Sequence, residues 1–323
     1  MFRDARSRWA AISLLVGQMV SASYFYSPAS VYLYMGRDLG QNVSGLGLLT
    51  TAFIIGIGGF QIPAGLLAEK IGPRRTIIYG TFLAAVSTLL TGLPSQLVVL
   101  AFLRFLTGVG MAFIFAPSIT LVARCFKKEF EGFGIGLVAG AFDLGGVIVI
   151  PGWAVLGRVE GWRLSFVVAG ILGLLAIAAM IILVPREEVR SGFRFRISDL
   201  RRVLLNKWLL AIGLAALSVQ VGWNTVGSFM VFYLENNFNT APAIAGLVGS
   251  LFLFCALVSS PLAGRIYGRV GRPVRLLLTG GLFSAAGLGI AALMSPYAAV
   301  LSTAVVGAAD GLGFTTAYIL ARD

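Results

Sequence analysis

The sequence contains no histidine, only two cysteines and few charged residues. Without histidine, no metal site can use imidazole ligands, and Cys125 and Cys255 are too few for a disulfide framework. Charged residues make up 12% of the chain, whereas soluble globular domains carry about a quarter. These deficits exclude a disulfide-stapled scaffold and a soluble fold, and we predict neither a metal nor a cofactor.

Apolar residues are abundant instead. They make up 58% of the 323 residues, and the mean hydropathy is +0.92. They fall in long blocks, and about 20 such residues in a helix cross a bilayer. We therefore predict an all-α integral membrane protein with about ten transmembrane helices. The predicted spans are 10–35, 43–68, 76–93, 96–123, 132–156, 164–184, 208–234, 243–264, 276–294 and 297–320.

The basic residues predict the topology. The chain has 25 Lys and Arg and a net charge of +12. With a cytoplasmic N-terminus, 21 of the 25 basic residues lie on inside segments, and the outside loops hold only Arg37, Arg158 and Arg163. By the positive-inside rule this predicts a multi-pass inner-membrane protein with its N-terminus in the cytoplasm. The basic charge therefore does not indicate nucleic-acid binding.

The sequence also repeats itself at an offset of 199 residues, without a gap. The matching pairs are Trp9 with Trp208, Tyr24 with Trp223, Tyr34 with Tyr233, and Gly108 with Gly307. Duplicated halves are typical of secondary transporters. We predict an N-terminal six-helix half over 1–184, a cytoplasmic linker over 185–207 and an incomplete four-helix half over 208–323. A complete second half would add two spans, so we expect either a fragment or a naturally short form.

A glycine- and charge-rich loop follows the second predicted span and recurs at the repeat offset. Its first copy contains Gly65, Glu69, Lys70, Gly72, Arg74 and Arg75, and its second copy contains Gly264, Arg269 and Gly271. The loop resembles the cytoplasmic signature G-x-x-x-D-R-x-G-R-R of the major facilitator superfamily. The resemblance implies a cytoplasmic gate in which Glu69 pairs with Arg124 at the inner end of span four. Glu69 replaces the family's Asp, Pro73 replaces an Arg, and Gly268 removes the acid from the second copy.

Two further segments are similar to those of this superfamily. Residues 104–110 match R-x-x-x-G-x-G, and Gly161-Trp162-Arg163 matches a frequent G-W-R. Gly145 and Gly146 match the end of the drug antiporters' G-P-x-x-G-G, but Ala141-Phe142 replaces Gly-Pro. A fainter likeness is to the branches that move small anions such as nitrate, cyanate or oxalate. The resemblance implies a monomeric carrier that moves a small molecule such as an anion across the lipid bilayer together with protons or another coupling ion.

Three charged residues lie well within predicted spans: Arg104, Asp143 and Asp310. Such residues are costly in a membrane and mark pathways or partners, and carboxylates in that place suit proton coupling. We predict a substrate and coupling-ion site from these three together with Tyr24, Trp223 and Asn224. We also expect the glycines near Asp310 to leave room for water or solute beside its carboxylate. A structural role stays open for each: Arg104 can lock span four to span one or pair with Asp143, and the aromatic rings can serve packing alone.

Other classes of function remain as alternatives. A channel or a membrane scaffold fits the same composition. An intramembrane aspartyl protease using Asp143 and Asp310 is a third class, but the neighbouring residues match neither the Tyr-Asp nor the Gly-x-Gly-Asp context of those enzymes. We therefore predict a secondary active transporter and no enzyme activity.

Overall fold

The computed structural model describes residues 1–186, 206–270 and 273–322. Side chains are described for these except at 131, 132, 208, 209, 261, 263–270, 273, 276, 314, 315 and 317–322. Within these ranges the chain is helical apart from short junctions and one isolated bridge between Phe2 and Phe126. The helices are α1 Ala5–Leu39, α2 Val43–Ile71, α3 Pro73–Thr91, α4 Leu97–Ala112, α5 Phe115–Cys125, a 3₁₀ turn Lys128–Phe130, α6 Glu131–Val159, α7 Trp162–Leu183, α8 Lys207–Phe238, α9 Pro242–Val270, α10 Pro273–Ala291 and α11 Pro296–Arg322.

Six helical segments in the described part are long and apolar enough to cross a membrane. One of them, Leu97–Cys125, combines α4 and α5. Every predicted span coincides with a helix or, at 96–123, with this pair. The predicted all-α membrane fold is confirmed.

The break between α4 and α5 departs from the continuous span predicted at 96–123. Phe113 and Ile114 are outside both helices. Pro117 has no N–H to donate to the Phe113 carbonyl, and its ring would clash with that carbonyl in a regular helix. The proline therefore divides the segment.

The chain forms two compact units, Met1–Phe193 and Arg194–Asp323. In the first unit α1 packs on α6 and α7, α2 packs on α4, and α3 packs on α4 and α7. In the second unit α11 packs on α8, α9 and α10. The α9–α11 and α10–α11 pairs are the repeat counterparts of α2–α4 and α3–α4.

The repeat is visible in single contacts. Gly108 lies so close to the Phe53 carbonyl that an added methyl group would overlap it, and Gly307 lies equally close to the carbonyl of Phe252. Phe53 and Phe252 are themselves 199 residues apart. Glycine allows such approach between helix backbones in a membrane.

The single gapless offset is wrong over one helix. Helices α2 and α9 begin at 43 and 242, but α3 and α10 begin at 73 and 273 and end at 91 and 291, an offset of 200. The glycine contacts of these two helices show the same 200-residue offset. Gly80 of α3 packs on the carbonyl of Gly110, and Gly280 of α10 packs on the carbonyl of Ala309. The offset returns to 199 at α11, which begins at 296 where α4 begins at 97, so the shift is reversed before that helix.

One face of α8 differs from its counterpart. Ala11 and Ala22 on α1 are fully buried, whereas their repeat mates Leu210 and Val221 on α8 are each 50% exposed. In the first unit α6 and α7 pack on α1. The second unit, as described, leaves the equivalent face of α8 uncovered.

Candidate functional site

Arg104 is the most deeply buried charge among the described side chains of the first unit, with 1% of its surface exposed. It lies on α4, and its Nη1 donates a 2.7 Å hydrogen bond to the Tyr24 carbonyl of α1. Its guanidinium carbon lies 4.3 Å from the centre of the Phe53 ring of α2, a cation–π contact. These contacts join three helices. The alternative pairing with Asp143 is not formed.

The Tyr24 carbonyl needs this donor. Residue 28 is a proline inside α1, so it has no N–H to close the helical hydrogen bond to Tyr24. A backbone carbonyl without a partner is costly in an apolar medium. Arg104 therefore supplies the donor that Pro28 removes, which the sequence spacing alone did not indicate.

The two aromatic repeat mates have different surroundings. The Tyr24 side chain is fully buried in a core cluster with Phe53, Ala84 and Ala85. Trp223 is only half-buried and meets the Phe252 ring edge to face at 5.9 Å. Next to it, Asn224 is half-buried and donates to the Gln220 carbonyl at 2.9 Å. Trp223 and Asn224 are thus partly exposed on the second unit, whereas Tyr24 has no exposed surface on the first.

Asp143 adjoins an aromatic cluster that sequence reasoning missed. Phe142 meets Phe25 edge to face at 6.0 Å and Tyr26 at 5.9 Å. Phe25 in turn meets Phe53 at 5.1 Å. Phe142 stands where the drug antiporters have proline, and its ring packs α6 on α1. Asp143, the next residue, is half-buried.

Asp310 is the buried carboxyl of α11, with 9% of its surface exposed. We expected neighbouring glycines to leave room for water or solute, and this is wrong. A methyl group at Gly307, Gly311 or Gly313 would overlap Phe252, Ser259 or Val219, respectively. The glycines are helix contacts.

The repeat mate of Asp310 is Met111, which is 7% exposed in the core of the first unit. A carboxyl group in the second unit thus occupies the place of an apolar side chain in the first. A further buried carboxyl, Glu235, is 4% exposed on α8. It lies one residue beyond the predicted span 208–234, so sequence reasoning missed it.

The signature loop is built around Gly72, whose φ of 90° favours glycine. Arg74 donates from Nε to the Val184 carbonyl and from Nη2 to the Ile181 carbonyl, both at 2.8 Å. It thereby caps the last carbonyls of α7. Arg75, Lys70 and Glu69 are exposed.

Other expectations for this loop have mixed outcomes. Among the described residues, nothing lies within 4 Å of a methyl group placed at Gly65, so this signature glycine is not at a close helix contact there. Arg124 lies in the last turn of α5, and its pairing with Glu69 stays a prediction. In the second copy, only the backbone of Gly264 and Arg269 is described, and Gly271 lies outside the described residues.

At the other end of the first unit, the Gly-Trp-Arg segment forms a clasp. Asp38 accepts hydrogen bonds from Trp162 Nε1 at 3.0 Å and from Arg163, which also donates to Ser95 Oγ at 2.9 Å. The bonds from Trp162 and Arg163 lower the pKa of Asp38, which lies beyond the apolar segment 10–35. Asp38 and Arg163 are 47% and 39% exposed, so the clasp stabilises the unit by less than about 1 kcal/mol.

The sequence profile of the Major Facilitator Superfamily matches residues 14–323. The chain belongs to this superfamily. It is therefore a multi-pass membrane protein, and the resemblance of its loop and span-four motifs is confirmed at the level of the family.

Several curated proteins are similar to this superfamily member. The probable sulfoacetate transporter SauU of Cupriavidus necator is 31% identical over 138 residues, 43% of this chain and 32% of that protein. The quinolone resistance protein NorA of Staphylococcus aureus is 28% identical over 237 residues, 69% of this chain and 58% of NorA. The sialic acid transporter NanX of Escherichia coli is 33% identical over 134 residues, 40% of this chain and 31% of NanX. The chain thus spans less than two thirds of the length of these relatives.

A solved structure shares the fold of this superfamily member. It is a bacterial homologue of the human lysosomal transporter Spinster in an inward-facing, occupied conformation. The TM-score is 0.75 at 17% identity, over 98% of this chain and 78% of that one. At this identity the likeness concerns the fold alone.

Proposed function

We propose that the whole protein is a secondary active transporter that moves a small organic anion by alternating access. The observation that carries the proposal is Asp310, a buried carboxyl on a helix of the second repeat where the first repeat has Met111. Buried carboxyls in membrane helices are costly and mark ion and substrate pathways. Duplicated units with charged residues in their helices are the usual construction of secondary transporters.

The relatives support an organic anion as the solute. SauU, NanX and a probable L-galactonate transporter are named for sulfoacetate, sialic acid and L-galactonate, and each of these compounds is an acid. The similarity to NorA and to a lincomycin resistance protein favours drug export as a second candidate. A thermal-shift screen of the purified chain against organic acids, quinolones and lincomycin separates the two.

The candidate residues of the two units have different proposed roles in transport. Asp310 and Asp143 carry the coupling to protons or another ion, because both are carboxyls on helices within the membrane. Trp223 and Asn224 contact the solute. Arg104 and Tyr24 hold α1 to α4, as the hydrogen bond between them supports. A channel, a scaffold or a protease would not show saturable counterflow.

Substitution of the two carboxyls tests the transport proposal. We expect Asp310→Asn to lower pH-gradient-driven uptake into proteoliposomes at least about tenfold, since an amide cannot exchange the coupling proton. Asp143→Asn should retain more uptake, because Asp143 is less buried. The solutes used are those that stabilise the protein in the thermal-shift screen. Size-exclusion profiles establish that the variants and the unchanged protein fold equally well. Unchanged pH dependence in Asp310→Asn would remove this residue from the mechanism.

We also propose that the N-terminus and the 124–131, 186–207 and 265–275 segments face the cytoplasm, as the charge bias supports. In a variant with Cys125→Ser and Cys255→Ser, exposed positions at opposite ends of the first unit report the orientation. Ser44→Cys should react with an impermeant maleimide added to intact cells, and Lys128→Cys should not. The reverse pattern would invert the topology.

A further inference from the structure

The first three residues form a short strap at the end of the first unit where α1 begins, which we call the proximal end. Phe2 forms an antiparallel bridge with Phe126, which follows α5. Arg3 N donates to the Cys125 carbonyl at 3.1 Å, and Lys127 N donates to the Met1 carbonyl at 3.0 Å. Arg3 Nε adds a bond to the Phe126 carbonyl at 3.0 Å.

The strap is joined stiffly to α1. Asp4 alone separates it from the helix, and the Asp4 side chain accepts from Ser7 N at 2.6 Å as the N-cap. A movement of the start of α1 is therefore transmitted to the strap. No flexible linker lies between them.

The strap also covers the proximal core. The Phe2 ring lies 4.6 Å from the Phe126 ring. Phe126 is fully buried, meets Phe133 of α6 at 6.2 Å, and belongs to a cluster with residues of α1, α3, α5, α6 and α7. One aromatic side chain from the strap thus closes the contact between α1, α5 and α6.

The strap is held more weakly than the helices around it. The described contacts that attach it include two backbone hydrogen bonds, one side-chain bond and one ring pair. Met1 and Arg3 are exposed and Phe2 is half-buried. Segments with few buried contacts and exposed hydrogen bonds open at lower free energy than the whole fold.

We propose that residues 1–3 act as a latch. The latch opens locally and controls whether the proximal ends of α1, α5 and α6 move as one body. The latch is independent of the proposed transport function. Its release exposes the proximal core while the rest of the first unit stays folded.

Cys125 is a natural reporter for the latch. Its thiol is buried and donates to the Leu121 carbonyl at 3.3 Å, and its own carbonyl accepts from Arg3 of the strap. The sequence has only one other cysteine. In a Cys255→Ser variant, Cys125 beneath the strap is therefore the only thiol with which maleimide can react.

The test measures the labelling rate of Cys125 in the purified Cys255→Ser protein. Phe2→Ala removes the ring contact, and Arg3→Pro removes the hydrogen bonds from Arg3 to the Cys125 and Phe126 carbonyls. Each variant should speed labelling about tenfold, the effect of losing an aromatic pair in the first case and two hydrogen bonds in the second. Phe2→Leu should be intermediate. The matched control is Arg6→Ala, which removes an exposed arginine outside the strap and should leave the rate unchanged.

A second reporter distinguishes latch opening from global unfolding. In a protein with Cys125→Ser, Cys255→Ser and Ala84→Cys, the reporter is at a fully buried position of α3 in another cluster. Phe2→Ala should leave its labelling slow. If both reporters accelerate equally, or if Cys125 labelling does not change in Phe2→Ala or in Arg3→Pro, the latch is overturned. Arg3→Pro changes an exposed residue and carries the test if Phe2→Ala yields no folded protein.

Discussion

Replacing Gly108 or Gly307 with alanine should destabilise the protein by about 3 kcal/mol or more, near the upper end for overpacked sites. An added methyl at either position would overlap a backbone carbonyl of the facing helix, that of Phe53 or Phe252. A side chain can turn away from such an overlap, but a helix backbone cannot move without shifting its other contacts. We expect little folded protein from either variant, measured as monodisperse yield and as the midpoint of thermal unfolding in detergent.

Two other glycines provide matched controls for this prediction. In the described part of the chain, nothing lies within 4 Å of a methyl group placed at Gly59 on α2 or at Gly289 on α10. Alanine has a higher helix propensity than glycine by about 1 kcal/mol, so Gly59→Ala and Gly289→Ala should be neutral or stabilising. If Gly108→Ala behaves like Gly59→Ala, the α2–α4 contact is looser than the structure has it. The same reasoning applies separately to Gly307 and Gly289.

Removal of the Arg104 side chain should also have a large effect. Arg104→Met keeps apolar length but leaves the Tyr24 carbonyl without its donor. We expect the free energy of unfolding to fall by about 2–3 kcal/mol, because an unpaired buried polar group and a lost cation–π contact both cost stability. Reversible unfolding of the purified protein in SDS measures it.

A second substitution identifies the cause of that loss. Pro28→Ala restores a backbone N–H that can bond to the Tyr24 carbonyl within α1. In the Pro28→Ala protein, Arg104→Met should therefore cost about 1–2 kcal/mol less than in the unchanged chain, a coupling of the size measured for hydrogen-bonded neighbours. Equal costs in the two backgrounds would show that Arg104 acts through something other than the orphaned carbonyl.

The sequence alone determined the class of fold, because hydrophobic length is written directly along the chain. Segments such as 164–184 had to be helices in a membrane. The repeat was equally readable, since Gly108 and Gly307 recur with aromatic mates at one offset. The family followed from the spacing around Gly72 and Arg104. These features depend only on residue type and separation.

Other features depended on how helices rotate and slide against each other. The gapless repeat failed at α10, since a one-residue shift that is reversed before α11 carries no strong sequence pattern. Gly311 and Gly313 were read as space beside Asp310, but neighbouring helices fill that space. The latch at Phe2 and the clasp at Asp38 join residues more than 100 positions apart.

The role of Arg104 could be predicted from the sequence in part only. A costly charge in an apolar span required a partner, and a link to the first span was one of the readings that the sequence allowed. Pro28 leaves the Tyr24 carbonyl without a helical donor, because proline lacks an N–H, but we had not predicted this from the sequence. Only the tertiary structure showed that the Arg104 guanidinium and the Tyr24 carbonyl meet each other's need. The position of α4 depends on its contacts with other helices, such as that of Gly108 with Phe53 of α2, and these contacts cannot be read from residue type and spacing.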